Sequence, residues 1–247
     1  MATNSMTEKA IGTLKRGVNA VLSPLGVQVT RVYPNTVCTL AWLKEARQAG
    51  MEINDYIEKD QSKPALSELE QLVFPHLFPG VAFCELGPGT GCYTRRLNAR
   101  IKDGEFHIVD VDSATIEFLK SYLTPNPATH FHVNSGRELP FSKNNWLDIG
   151  FCTSMFTGVN LTYFYRYMLE FSRVLKPDGH FVFDYFDVAT EAGWRVLKRN
   201  MARSTPIYAY NYHRTETVDR ILDETGYEII GRQPTVRGSV FVTARKR

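Results

Sequence analysis

Apolar residues recur along this chain at two periods. Val81, Ala82, Phe83 and Cys84 run without alternation into Glu85, the pattern of a central parallel strand covered on both faces. Glu105 to Val109 and His130 to Val133 read as further strands, His180 to Asp184 as another after the turn Lys176-Pro177-Asp178-Gly179. Tyr227 to Arg232 and Ser239 to Ala244 read as a closing antiparallel pair. Between these stretches helical spacing predicts Cys92 to Ala99, Ala114 to Tyr122, Leu161 to Leu175, Glu191 to Met201 and Glu216 to Glu224. Strands alternating with helices indicate an α/β protein with a mainly parallel sheet.

Ahead of the first strand the pattern is helical. Residues 8 to 22 place Ile11, Leu14, Val18, Val21 and Leu22 on one stripe with Lys9, Lys15 and Arg16 off it. Such a basic amphipathic helix suits either the cap of a domain or a membrane surface. Residues 38 to 49, closed by Gly50, and 65 to 74, closed by Pro75, also read as helices, and the polar stretch between them as loop. This divides the chain into a helical extension over residues 1–80, a lid or substrate wall, and a domain over residues 81–247, with the boundary near Phe78-Pro79-Gly80.

The first strand ends in a glycine-dense turn, V-A-F-C-E-L-G-P-G-T-G-C-Y-T from Val81 to Thr94. Gly87, Gly89 and Gly91 let the backbone bend sharply and let a ligand lie almost against it. The first turn of the helix beyond points its free N–H groups at that ligand. A dinucleotide turn needs a small residue at position 92, where this chain has Cys, and no Gly-Lys-Ser/Thr follows, which excludes a P-loop. Glu85 decides further: a carboxylate beside a pyrophosphate costs about 4 kcal/mol at 4 Å and an effective dielectric of 20. Beside a ligand carrying an ammonium and a sulfonium it attracts. The second strand ends in Asp110, 23 residues after Gly87 (110 − 87), the interval at which a doubly wound sheet sets an acid against a ribose. Asp112 or Ser113 caps the next helix instead.

Composition narrows the function class. The 247 residues are 43% hydrophobic and 22% charged, which fits a globular α/β domain with an extension. A net charge of +3 is too small to argue for nucleic acid, although residues 191–247 hold 11 basic against 6 acidic groups. Cys38, Cys84, Cys92 and Cys152 are scattered, without zinc spacing, so no metal is expected and a reducing, cytoplasmic setting is. No run of about 18 apolar residues exists to span a membrane. Gly17, Pro24 and Gly26 interrupt any signal-peptide core.

The glycine turn, an acidic residue followed by x-G-x-G-x-G, resembles the first motif of class I S-adenosylmethionine-dependent methyltransferases. S-R-V-L-K-P-D-G-H-F-V-F, residues 172 to 183, is similar to a later turn and strand of that family, and the resemblance extends over residues 81 to 184. It implies a doubly wound, Rossmann-like, mainly parallel sheet of seven strands and S-adenosylmethionine as cofactor, with Glu85, Gly87, Gly89, Gly91 and Asp110 at its site. N-S-G-R-E-L-P-F, residues 134 to 141, matches the segment that wraps the adenine. Ser135 stands where the family commonly carries an acid, so the contact is expected from the Ser135 hydroxyl and the backbone of Gly136 and Arg137. Asn144 to Cys152 resembles the fourth strand, and T-S-M-F-T-G-V-N beyond it lies where acceptor should meet methyl group.

The resemblance is strongest to bacterial small-molecule and sugar O-methyltransferases, which implies an acceptor hydroxyl on a small polar metabolite, a sugar or natural-product intermediate. The acceptor is expected between Thr153 to Asn160, Asp184 to Asp187 and Tyr208 to His213. Arg195, Lys198 and Arg199 share a helix face that suits an anionic group or simply solvent. His213, with an ordinary pKa near 6.5, is the candidate general base, and Asp184, Tyr185 and Asp187 compete for substrate binding. A small-molecule N-methyltransferase and a non-catalytic cofactor-binding domain are the alternatives. Nucleic acid is disfavoured because the fourth strand ends in C-T-S-M-F rather than the Asn-Pro-Pro-aromatic signature of DNA amino methylases. The sequence leaves oligomeric state open.

Overall fold

Three short helices precede the sheet: α1 (Asn35–Gln48), α2 (Ile53–Asp60) and α3 (Ala65–Leu72). The computed structural model describes residues 35–60, 63–202 and 210–247, all within one unit, Asn35–Arg247. The helix expected over residues 8 to 22, and Tyr208 and Ala209 of the segment expected beside the acceptor, lie outside the described residues. The polar stretch read as loop contains α2. Its apolar signal is only Ile53 and Ile57, one turn apart, yet both are buried with Ala46 and against Trp42.

The remaining elements alternate as the pattern predicts: β1 (Val81–Leu86), α4 (Thr94–Arg100), β2 (Gly104–Asp110), α5 (Ser113–Tyr122), β3 (Thr129–Val133), β4 (Leu147–Cys152), α6 (Leu161–Val174), β5 (Leu175–Asp187), α7 (Glu191–Met201), β6 (Tyr212–His213), α8 (Thr215–Glu224), β7 (Tyr227–Pro234) and β8 (Ser239–Lys246). The main path of the sheet is β3-β2-β1-β4-β5-β8-β7, and β6 pairs in parallel with the end of β5. Among these pairings only β5–β8 and β7–β8 are antiparallel. The sheet is thus the Rossmann-like one expected, with a two-residue eighth strand added. The order reverses between β1 and β4, so a crevice opens beyond their carboxyl ends.

Both faces of the sheet are covered. Phe164, Met168 and Phe171 of α6 pack with Phe181 and Phe183 on one face. Leu69 of α3, Leu97 of α4 and Leu119 of α5 cover Phe83, Phe106, Phe151 and Val182 on the other. Every residue of β1 is buried, as an unalternating apolar run requires. The Asp112 side chain caps α5 by accepting from the Ala114 N–H at 2.9 Å, which leaves Asp110 free for another purpose.

Two local expectations change. Lys176 to Gly179 is a bulge inside β5 rather than a turn before it: Leu147 pairs with Leu175, and Ile149 with His180. Asp178, not Gly179, takes the left-handed conformation, with φ 64°. Gly179 is there for space, since a Cβ would meet the Lys176 carbonyl at 2.9 Å. The helix after the glycine turn begins at Thr94, two residues later than expected, because the left-handed glycines hold the chain in turns through Tyr93.

Candidate functional site

The site is built where β1 stops. Gly89 and Gly91 sit at φ 57° and 83°, which L side chains rarely adopt. A Cβ on Gly91 would lie 2.7 Å from Leu119, so this residue closes the turn against α5. A Cβ on Gly89 would meet nothing within 4 Å: its open side faces the crevice. Gly87 donates its N–H to the Val109 carbonyl at 2.9 Å, locking the turn to the end of β2.

Two carboxylates flank this turn with oxygens left over. Glu85 is 1% exposed and its Oε2 has no hydrogen-bond partner. Burial pushes its carboxyl up to about 8; Lys63 and the Thr94 hydroxyl pull it partly back, while Asp110 adds to the rise. Asp110 is 2% exposed. Its Oδ1 accepts from the Asp112 N–H at 2.9 Å and its Oδ2 has no partner. Burial raises it to about 6, against backbone N–H groups that include Gly89. Buried carboxylate oxygens without donors are costly unless a ligand supplies them. An ammonium, a sulfonium and ribose hydroxyls are donors and charges of the right sign, so the donor set missing here is the one S-adenosylmethionine carries.

The adenine end is more open. Ser135 and Arg137 are exposed, and the Ser135 hydroxyl accepts from the Arg137 N–H at 3.3 Å. Gly136 sits so close to Val111 that a Cβ would lie 3.3 Å from its Cγ1. Val111 and Val133 are half exposed apolar residues on either side of this segment. Their place after Asp110 and at the end of β3 makes an apolar wall that the sequence did not single out.

Other neighbours of the turn went unforeseen. Asn54 of α2 is fully buried and takes the Thr90 hydroxyl at 2.6 Å while donating to the Thr90 carbonyl at 2.8 Å and to Tyr122 at 2.9 Å. Arg95 and Arg96 of α4 reach Glu52, Asp55 and Glu58 at 2.7–3.0 Å. The α2 helix is therefore clamped onto the glycine turn and α4.

The three segments expected around the acceptor meet. Ser154, two residues after β4, holds φ 60°, a strained conformation for a non-glycine residue, and its N–H donates to Asp184 Oδ1 at 2.5 Å. Asn211 donates its N–H to the Thr157 carbonyl at 2.7 Å. His213 is buried against Phe164, with Nε2 3.1 Å from the Phe156 carbonyl. A carbonyl only accepts, so Nε2 carries the proton. Burial also lowers the His213 pKa, keeping the ring neutral. Asp187 is committed to the Thr215 hydroxyl at 2.5 Å, which also contacts Tyr185 at 2.8 Å. Arg195, Lys198 and Arg199 are exposed on α7.

Residues 84–183 match the family described as "Methyltransferase domain". Over that stretch the chain carries a methyltransferase domain. The methyltransferase is similar in fold to magnesium protoporphyrin IX methyltransferase from Synechocystis PCC 6803 with bound SAH, at 15% identity and TM-score 0.61, over 78% of this chain and 86% of that one. It is also similar to a methyltransferase of Thermotoga maritima described as a possible histamine N-methyltransferase, at 18% identity and TM-score 0.59, over 79% and 96% of the two chains. A third likeness is to the pyocyanin biosynthetic protein PhzM, at 18% identity and TM-score 0.62, over 85% and 62%. No curated protein matches the methyltransferase in sequence. Among its described residues, no helix is long and apolar enough to cross a membrane.

Proposed function

We propose that this methyltransferase transfers a methyl group to a hydroxyl of a small polar metabolite, a sugar or natural-product intermediate. S-adenosylmethionine brings the electrophilic methyl when bound. In this reading Glu85 faces its positive charge, Gly87, Gly89 and Gly91 allow close approach, and Asp110 takes the ribose hydroxyls. Ser135, Gly136 and Arg137 line the adenine. The extension up to residue 80 acts as the lid, through the Asn54–Thr90 pair.

One observation supports the acceptor reading most: hydrogen bonds from Ser154 to Asp184, Asn211 to Thr157 and His213 to Phe156 draw three chain segments into one wall beyond β4 and β5. A displacement at a methyl group depends on holding acceptor and methyl in line, and a wall fixed at three points does that. His213 enters as a positioning residue, because its Nε2 is spent on the Phe156 carbonyl rather than aimed at a substrate proton.

The test is a mass-spectrometric screen of an acceptor library for addition of one methyl group, run with wild type, His213→Ala and His213→Gln. The expected product is methylated on oxygen, and a product methylated on nitrogen or carbon contradicts the reading. The glutamine amide can still donate to Phe156, so His213→Gln should retain several-fold more turnover than His213→Ala. Equal loss in both returns His213 to the role of general base.

A further inference from the structure

Lys63 and Arg237 come together from distant parts of the chain, one just before α3 and the other in the turn between β7 and β8. That turn lies at the carboxyl end of the sheet, because Ser239 at the start of β8 pairs with Phe186 near the end of β5. Tyr93 ties the two cations together. Lys63 Nζ lies over its ring, 4.6 Å from the centroid, and Arg237 Nη2 reaches its hydroxyl at 3.3 Å. Lys63 is 9% exposed and the Arg237 side chain 10%.

Among the described residues neither cation has a carboxylate closer than 3.5 Å. Lys63 has no carboxylate within 4 Å among the described residues. Arg237 has two, Glu68 at 3.5 Å and Asp184 at 3.8 Å, both beyond a good charge-assisted hydrogen bond. Those acids are engaged elsewhere: Glu68 accepts from the Tyr93 hydroxyl, and Asp184 from the Ser154 N–H. Arg237 Nε is buried with no acceptor, and so is the hydroxyl of Thr153, the neighbour of Ser154. Burial chiefly, and after it the charge of Arg237, lower the Lys63 pKa, while Cys92, Asp184 and Glu68 partly offset the fall.

The leftovers thus divide by sign. At Glu85 and Asp110 acceptor oxygens await donors, which the cofactor supplies. At Lys63, Arg237 and Thr153 donors await an acceptor. A bound cofactor that brings positive charge beside them deepens that need. We propose that Lys63 and Arg237 form an oxyanion subsite that takes a carboxylate carried by the acceptor molecule. This rests on the methyl-transfer reading above and narrows its substrate class to acidic metabolites.

The experiment uses the full chain saturated with S-adenosylhomocysteine and follows thermal unfolding with added benzoate or benzamide, equal in shape and different in charge, at fixed ionic strength. Benzoate should raise the melting temperature and benzamide should not. Lys63→Met and Arg237→Met should each weaken the benzoate effect at least tenfold in concentration, and Lys63→Arg, which keeps the charge, should retain it. Circular dichroism of each variant reports folding. Equal stabilisation by the two probes, none by benzoate, or an undiminished effect in both methionine variants overturns the subsite. If Lys63→Met instead loses S-adenosylhomocysteine while still binding 5′-methylthioadenosine, which lacks the amino-acid moiety, Lys63 serves the cofactor carboxylate and the proposal is wrong. If S-adenosylhomocysteine fails to stabilise even wild type, the cofactor reading fails, a result distinct from loss of the benzoate effect alone.

Discussion

Replacing Glu85 by Gln should stabilise the ligand-free protein while weakening its hold on the cofactor. The buried Glu85 carboxyl has a folded pKa of about 8 against an ordinary 4.5. A raised acid pKa means that the folded state binds more protons than the unfolded one, so stability falls as pH rises from 4.5 to about 8. Keeping this group protonated costs about 3 kcal/mol at pH 7 and under about 1 kcal/mol at pH 5, at 1.36 kcal/mol per pKa unit. Gln has the same shape and carries no charge, and the protonated acid and the amide both leave a polar atom unpaired. The penalty should therefore vanish in the variant. At about 2–4 °C per kcal/mol for a protein of this size, ligand-free Glu85→Gln should melt roughly 6–12 °C above wild type at pH 7. At pH 5 the difference should nearly disappear. Titration calorimetry with S-adenosylhomocysteine should show roughly 10- to 100-fold weaker binding, from loss of a hydrogen bond to a charged group worth about 1.5–3 kcal/mol. A variant no more stable than wild type at pH 7, or one that binds as tightly as wild type, would refute the reasoning.

Asn54→Ala should strip the glycine turn of its clamp, leaving the Thr90 hydroxyl and carbonyl unpaired, and cost about 1–3 kcal/mol in denaturant unfolding together with a measurable loss of S-adenosylhomocysteine affinity. His107, His130 and His132 stack across β2 and β3, and burial lowers His107 and takes His132 down to about 4. A depressed histidine pKa contributes stability that is present above about 6.5 and lost as pH falls toward 4. His132→Gln should flatten that part of the melting-temperature profile relative to wild type, and parallel profiles would count against it.

The geometry of the glycine turn was legible because it is local. Gly87 to Gly91, Glu85 and Asp110 sit at strand ends that an unbroken apolar run and a fixed interval mark in one dimension. Asp112 could be separated from Asp110 because capping has its own signature, and the structure bears out that cap. The rest depends on partners far apart in sequence. Asn54 meets Thr90, and Lys63 and Arg237 meet at Tyr93, because α2, the segment before α3 and the turn of the last hairpin come together at the carboxyl end of the sheet. No periodicity encodes that. The α2 helix is not legible in one dimension because two isoleucines and a tyrosine among eight residues make too narrow a stripe to outweigh five polar neighbours. His213 was placed correctly beside the segment after β4, but only coordinates reveal that its Nε2 faces a carbonyl.

The central claim is that the glycine turn with its two donor-poor carboxylates is a site for S-adenosylmethionine. Thermal unfolding of wild type and Gly89→Val with S-adenosylhomocysteine or NADH tests it most directly. S-adenosylhomocysteine should stabilise wild type and lose its effect in Gly89→Val, where the valine fills the open side of the turn, and NADH should stabilise neither. Stabilisation by NADH with none by S-adenosylhomocysteine would contradict the account.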